Sequence, residues 1–332
     1  MATIADIARV TGLSVATVSR YLNGHPYVSA EARNAIREAI SELNYTPNST
    51  AVALRRGTTD RIAFFVPTLA HSFYAELLAG AGDAARRYGY DLVVRQCPVI
   101  SDETAGELDR MLETRLIDGA ILATEIPAEA TGALVATGAP LVACDQVLRE
   151  APVSCVFTDH YASAREVLAH LLDTGRRNIV VVTSSEPHGS SLMRQSAAEE
   201  ARREAGGGLR VTFVVEDDDD SVSSGVALGE KLLARSPPPD SVFTGADQLA
   251  AGVLIAAERR GVSVPQELAI VGFDDQSLSQ ALGLTSVYQP TREMGSTAVD
   301  MLISRIKLTA RGSAPATERV LLPHELRRRR TS

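Results

Sequence analysis

Along the first 47 residues apolar side chains recur at helical spacing, and beyond residue 60 the rhythm changes. Ile4, Ile7 and Ala8 share one helical face, preceded by Thr3, which can cap a helix with Asp6 three residues on, and closed by Gly12. Ser14 can cap a second helix carrying Val18 and Leu22 on one face and stopping at Asn23-Gly24. Ser29 can cap a third, in which Ala32, Ile36, Ile40 and Leu43 recur before Pro47 ends it. Two short helices about a tight glycine-containing turn, with a third packed on them, predict an all-α helix-turn-helix head over 1–47. Residues 48–60 join it to the rest. Within them 48–57 can make a helix of about two turns, which is marginal in water by itself.

From Arg61 onward short apolar runs alternate with amphipathic stretches. Strands are expected at 62–66, 92–94, 120–122, 141–143, 155–157, 179–182, 211–215, 241–243 and 268–271. Helices are expected between them at 73–87, 104–115, 162–172, 192–204, 225–234 and 249–260. Such alternation implies parallel sheets covered on both faces. Nine strands exceed one compact domain, so the α/β core reads as two doubly wound parallel-sheet subdomains, splitting near 157–162. A ligand belongs where strand C-terminal ends from both face a shared cleft. Arg327 to Arg330 form a basic run, read as a frayed, solvated tail.

Charge sharpens this division. Residues 1–58 hold six arginines against four acidic side chains, whereas residues 59–332 hold 27 basic and 37 acidic ones. A mildly basic head on an acidic body suits nucleic-acid binding by the head alone. With 45% hydrophobic and 22% charged residues the composition is that of a folded chain. No apolar run is long enough for a membrane span, and the N-terminus lacks the basic-then-apolar order of a secretory signal, so a cytoplasmic protein is expected. Cys97, Cys144 and Cys155 have no CxxC spacing and read as buried free thiols. The acidic run 217–220 reads as a solvated turn, since consecutive residues rarely converge on one ion. No metal, cofactor or catalytic constellation stands out: GxSxG, HExxH and a Gly-Lys-Ser/Thr phosphate loop are all missing.

The second head helix carries the candidate chemistry. Laid in a major groove, it would present its N-terminal residues to base edges. Val15 and Ala16 can pack on thymine methyls, and Arg20 can fork onto guanine O6 and N7. Ser14, Thr17, Ser19 and Asn23 offer short donors to phosphates, which position rather than specify, and Thr3 is counted with them.

Residues 1–57 resemble the head of the LacI/GalR family of bacterial transcriptional regulators. TIADIARVTGLSVATVSRYLNG, VSAEARNAIREAISELNYTPN and STAVALRRG follow that head almost position by position. The likeness continues through VPTLAHSFYAELLAGAGDAARRYGY, LVACD at 141–145, VPQELAIVGFDD at 264–275 and YQPTREMG at 288–295, so it spans the chain. It implies a homodimeric repressor on a palindromic double-stranded operator, with residues 48–56 as a hinge helix. Leu54 matches the leucine that wedges into the central base step, and Arg55 and Arg56 can reach flanking phosphates. It also implies a periplasmic-binding-protein-like core, with subdomains at 61–160 plus 291–324 and at 161–290, leaving 325–332 as the tail.

The resemblance places a small-molecule effector between the subdomains. Matching positions are Phe73 and Tyr74 after the first strand, Asp145 after the fourth, Arg194 at a helix start and Asp274 in the Gly-Phe-Asp-Asp turn. Arg194 and Asp274 facing each other across the cleft would suit vicinal hydroxyls, or else form an interdomain ion pair. Gln146, which stands where some relatives have tryptophan, Asp247, which follows Ala246 where many have asparagine, and His188 complete the eight expected effector contacts. His160 and His188 read first as surface or capping histidines, with His188 entering a loop near the cleft. The chain has no tryptophan, so only Phe73, Tyr74 and Phe273 could stack on a ligand. That disfavours a purine and favours a carbohydrate-like or otherwise hydroxylated effector. An activator of the same family, a solute-capturing module and an enzyme on the same scaffold remain alternatives. The head argues against capture alone, and turnover of a cleft ligand would argue for the enzyme.

Overall fold

The computed structural model describes residues 2–22, 27–45, 58–146, 148, 151–183, 189–215 and 220–332. It divides into two compact units, Met1–Thr59 and Asp60–Ser332.

The first unit holds α1 (Ile4–Thr11), α2 (Val15–Leu22) and α3 (Ala30–Glu42). Each begins where a hydroxyl satisfies an otherwise unpaired backbone N–H. Thr3 accepts from the Asp6 N–H at 3.3 Å while the Asp6 carboxylate accepts from the Thr3 N–H at 2.9 Å, a reciprocal capping box. Ser14 accepts from the Thr17 N–H at 3.1 Å, and Ser29 from the Ala32 N–H at 3.2 Å. Gly12 closes α1 in the left-handed region at φ +68. Ile7, Val18 and Ile36 are fully buried at the meeting of the three helices, with Ala8 and Ala39 beside them.

The second unit contains two six-stranded sheets. In the first, β1 (Arg61–Val66), β2 (Asp91–Gln96), β3 (Ala120–Leu122), β4 (Leu141–Cys144), β5 (Ser154–Thr158) and β11 (Arg319–Leu322) run in the order β11-β5-β4-β3-β1-β2, all parallel. The second joins β6 (Asn178–Thr183), β7 (Arg210–Val215), β8 (Ser241–Phe243), β9 (Ala269–Asp274), β10 (Thr285–Tyr288) and β12 (Glu325–Arg327) in the order β12-β10-β9-β8-β6-β7. Only β12 is antiparallel to its neighbour. Helices cover both faces, which is why the strands read as unbroken apolar runs. On β1, Ile62, Phe64 and Val66 face α4 (Ser72–Tyr88) and α12 (Thr291–Ala310), whereas Ala63 and Phe65 face α5 (Asp102–Glu113) and α6 (Ala128–Ala136). Burying a phenylalanine such as Phe64 or Phe65 contributes roughly 2–3 kcal/mol. In the second sheet Ile179 and Val181 meet α7 (His160–Asp173) and α8 (Gly189–Glu204), while Val180 and Val182 meet α9 (Val222–Leu233) and α10 (Asp247–Arg260). A short α11 (Ser277–Leu282) follows β9.

All nine expected strands are present, and three more complete the sheets: β10, β11 and β12. Helix α12 also escaped the periodicity reading. It packs on α4 so closely that a Cβ on Gly80 would lie 1.9 Å from the Arg292 carbonyl oxygen, and one on Gly295 would lie 2.0 Å from that of Leu77. Glycine is the residue that permits this backbone approach.

The C-terminal run departs from the expected frayed tail. Strand β12 pairs with β10, and Thr331 is fully buried, donating to the Ile270 carbonyl at 2.8 Å. Arg327 and Arg329 pair with Asp275 at 2.7 and 2.6 Å. A carboxylate this deeply buried requires counter-charge, and the run supplies it from about 50 residues away along the chain. Among the cysteines Cys144 and Cys155 are buried as expected, but Cys97 is half-buried.

Candidate functional site

The head presents one exposed polar and apolar face. Ser14, which caps α2, and Val15, Ala16 and Arg20 on it are exposed, with Val15 at 52%, while Val18 turns inward. Thr17 and Ser19 are half-buried; the Thr17 hydroxyl lies 2.9 Å from that of Ser14, so part of its hydrogen-bonding capacity is spent on the cap. Thr3 is likewise engaged in its capping box. Asn23, Leu54 and Arg55 lie outside the described residues, as does the expected hinge helix.

The second unit holds a cavity of about 560 Å³, walled by both sheets. Its lining comes from strand C-terminal ends and the turns after them, where parallel α/β sheets place ligands. From the first sheet come His71, Phe73 and Tyr74, at the start of α4, and Asp145, just past β4. The second contributes His160, Arg194, Phe273 and Asp274, while Gln289 lies in the connection leaving β10. Asp145 and Asp274 have positive φ, 63 and 95. Non-glycine residues held there mark strained positions that the surrounding structure must enforce, and such strain gathers at ligand sites.

Hydrogen bonds fix the orientation of several walls. His71 caps α4: its Nδ1 accepts from the Phe73 N–H at 3.2 Å, which leaves the proton of the neutral ring on Nε2. Burial holds this imidazole below its ordinary pKa, against the pull of Asp220 and Asp247. His160 Nε2 lies 3.1 Å from Asp145 Oδ1, and its ring stacks on Phe273 at 5.4 Å. Gln289 donates to Asp274 at 2.8 Å. Tyr74 meets Phe73 edge-on at 5.1 Å; burial, with Asp145, Asp274 and Asp220 nearby, pushes its phenol far up, so it remains a donor. The Arg194 guanidinium lies over Phe273, 5.3 Å from the ring centre.

Burial dominates the electrostatics. Asp274 is pushed up to about 7 by burial, with Asp145 and Asp220 adding to the shift, while Gln289 and Arg194 oppose it. For Arg194 burial weakens the hold on its proton, and Asp274, Asp220 and Asp145 restore it. No ion pair within 4.0 Å joins Arg194 to any of these three carboxylates among the described residues.

Of the eight residues proposed for the effector, Phe73, Tyr74, Asp145, Arg194 and Asp274 share this wall. Phe73 is also part of the core below it. Gln146 does not line the cavity: its amide donates to the carbonyls of Leu122 and Thr124, because the end of β3 leaves those acceptors open. Asp247 lies behind the wall, accepting from the Ser286 hydroxyl and the Gln276 N–H, each at 2.6 Å. Burial, and Asp274 beside it, push its carboxyl up to about 7. His188 lies outside the described residues. Arg194 and Asp274 do not face each other across the cleft, because α8 and β9 both belong to the second sheet's layer; the opposite wall is His71, Tyr74 and Asp145. His160 is a buried wall residue rather than a surface histidine. Asp220, read as part of a solvated turn, also lines the cavity, together with Ser221 and Gln248. Periodicity could not single these out, although His71 and Gln289 stand within segments that carry the family resemblance.

Comparisons with known proteins agree with this architecture. Residues 3–48 match the family model "Bacterial regulatory proteins, lacI family", and residues 168–332 match "Periplasmic binding protein-like domain". The chain is 32% identical over 333 residues to the catabolite control protein A of Priestia megaterium, covering 99% of each chain. A structure of the lac repressor dimer, bound to operator and the anti-inducer ONPF, matches with a TM-score of 0.84 at 25% identity, covering 99% of this chain and 98% of that one. The transcriptional regulator CelR in complex with cellobiose matches at a TM-score of 0.70 and 28% identity, over the full length of both chains.

Proposed function

The chain belongs to the lacI family of bacterial regulatory proteins, and from that premise we propose that it is a cytoplasmic, homodimeric repressor of a palindromic operator, released or engaged by a carbohydrate-like effector in its cleft. The family is one of transcriptional regulators with a DNA-binding and a ligand-binding domain. The observation that carries the finer reading is the cavity between the sheets, into which two subdomains contribute hydroxyl-binding groups at strained positions. The dimer and operator of the lac repressor structure and the cellobiose of the CelR complex support the same reading.

In this proposal Arg20 reads a guanine, Val15 and Ala16 touch thymine methyls, and Ser14, Thr17 and Ser19 set the register on phosphates. Leu54 and Arg55 serve the minor groove. A molecule that bridges both cavity walls favours one subdomain arrangement over another. It changes operator affinity only by the difference between its affinities for the two arrangements. Selection from a library of inverted repeats, followed by fluorescence anisotropy, tests this. The expected result is preference for one repeat over random DNA, shifted by a sugar that also raises the melting temperature. Arg20→Ala is expected to cost about 1–3 kcal/mol at the selected repeat, and Arg194→Ala to abolish the response to sugar. Equal affinity for repeat and random duplexes, with and without sugars, would overturn the proposal.

A further inference from the structure

The cavity's unmet hydrogen-bonding capacity and its charge together narrow what can fill it. Arg194, His160 and Gln289 are each more than nine-tenths buried, and each keeps one polar atom without a partner: Nε, Nδ1 and Oε1. His71 Nε2 is likewise unpartnered. With His71 Nδ1 accepting and His160 Nε2 directed at Asp145, the unpartnered buried groups among the described wall residues are two donors, on Arg194 and His71, and two acceptors, on His160 and Gln289. Hydroxyl groups, which donate and accept at once, meet both kinds.

Charge adds a second constraint. Among the described residues Asp145, Asp220 and Asp274 line the cavity against one guanidinium, that of Arg194, which stacks on Phe273 rather than pairing with any of them. Resting on the effector reading above, we propose that the ligand of this cleft is a polyhydroxylated molecule bearing an amino group, and that phosphorylated and carboxylated sugars are turned away. An anionic group would enter a partly desolvated site that already holds an excess of carboxylates, where like charges repel strongly. An ammonium supplies the missing counter-charge and adds donors to the carboxylate oxygens. The raised pKa of Asp274, near 7, has the same origin, since burial and the Asp145 and Asp220 charges both disfavour its ionisation.

The test uses the full chain and matched sets of probes: glucose, glucosamine, glucose 6-phosphate and glucuronate, with the corresponding galactose and mannose sets, measured by calorimetry at pH 7.5. In at least one set the amino sugar is expected to bind about tenfold tighter than its parent, a difference of roughly 1.4 kcal/mol, with no binding of the phosphate or the acid. Asp274→Asn is expected to narrow the ratio of amino sugar to parent. Tighter binding of a phosphate or acid, or equal binding of parent and amine, overturns the inference and leaves the carbohydrate reading standing. Absence of binding by every member of all three sets overturns both.

Discussion

Asp274 and Asp275 are neighbours in sequence, both buried, and treated in opposite ways. Asp275 receives Arg327 at 2.7 Å, Arg329 at 2.6 Å and the Ser279 hydroxyl at 3.2 Å. The Asp274 carboxylate accepts one side-chain hydrogen bond among the described residues, from Gln289, and faces a cavity with further carboxylates beside it. One carboxylate closes the C-terminal strand onto the second sheet, and the other is left short of partners where a ligand can supply them. The difference separates a buried carboxylate compensated within the fold from one left for the proposed ligand to compensate.

The largest expected effect comes from breaking the compensated side. Asp275→Ala removes the shared carboxylate of two partly buried guanidinium groups, leaving Arg327 to Glu325 and Arg329 to the Leu284 carbonyl, and should cost roughly 3–5 kcal/mol in urea unfolding. A loss no larger than that of a surface substitution would show that the C-terminal run is held by β12 pairing alone. Arg329→Ala, which leaves Arg327 in place, should cost less, about 1.5–3 kcal/mol, the scale of a charged hydrogen bond. A third effect is pH-dependent and concerns the uncompensated side. Unfolded aspartates titrate near 3.9, whereas folded Asp274 and Asp247 retain protons up to about 7. Between those values the folded protein binds more protons than the unfolded chain. The stability they confer is therefore fully present below about pH 4 and lost as pH rises through 7. Thermal melts of the ligand-free protein should show this decline, and Asp274→Asn should flatten it. The smallest effect is that of Asp274→Asn at pH 5, where the neutral amide replaces a protonated acid and the melting temperature should hardly move. A large drop there would place Asp274 with Asp275 among the structural charges.

Legibility followed how local the cause is. The caps at Thr3, Ser14 and Ser29 and the nine strands first expected could be read because each depends on residues a few positions apart. Strands β10 to β12 were missed: 285–288 is four residues that open on the polar pair Thr285-Ser286, and β12 is three residues of which two are charged. Of the eight positions expected to hold an effector, the five that line the cavity stand in family motifs or, for Arg194, at a matching helix start. Gln146 and Asp247 were misplaced because their partners, the Leu122 and Thr124 carbonyls and the Gln276 N–H, are more than 20 residues away in sequence.

The sequence alone determined the alternation of elements and the helical head before an α/β body, because side-chain periodicity and capping act along the chain. Only the tertiary structure decided which charges would meet. Whether a buried carboxylate is neutralised depends on groups brought within about 3 Å from distant segments, and that is a property of the packed sheets rather than of any stretch of chain.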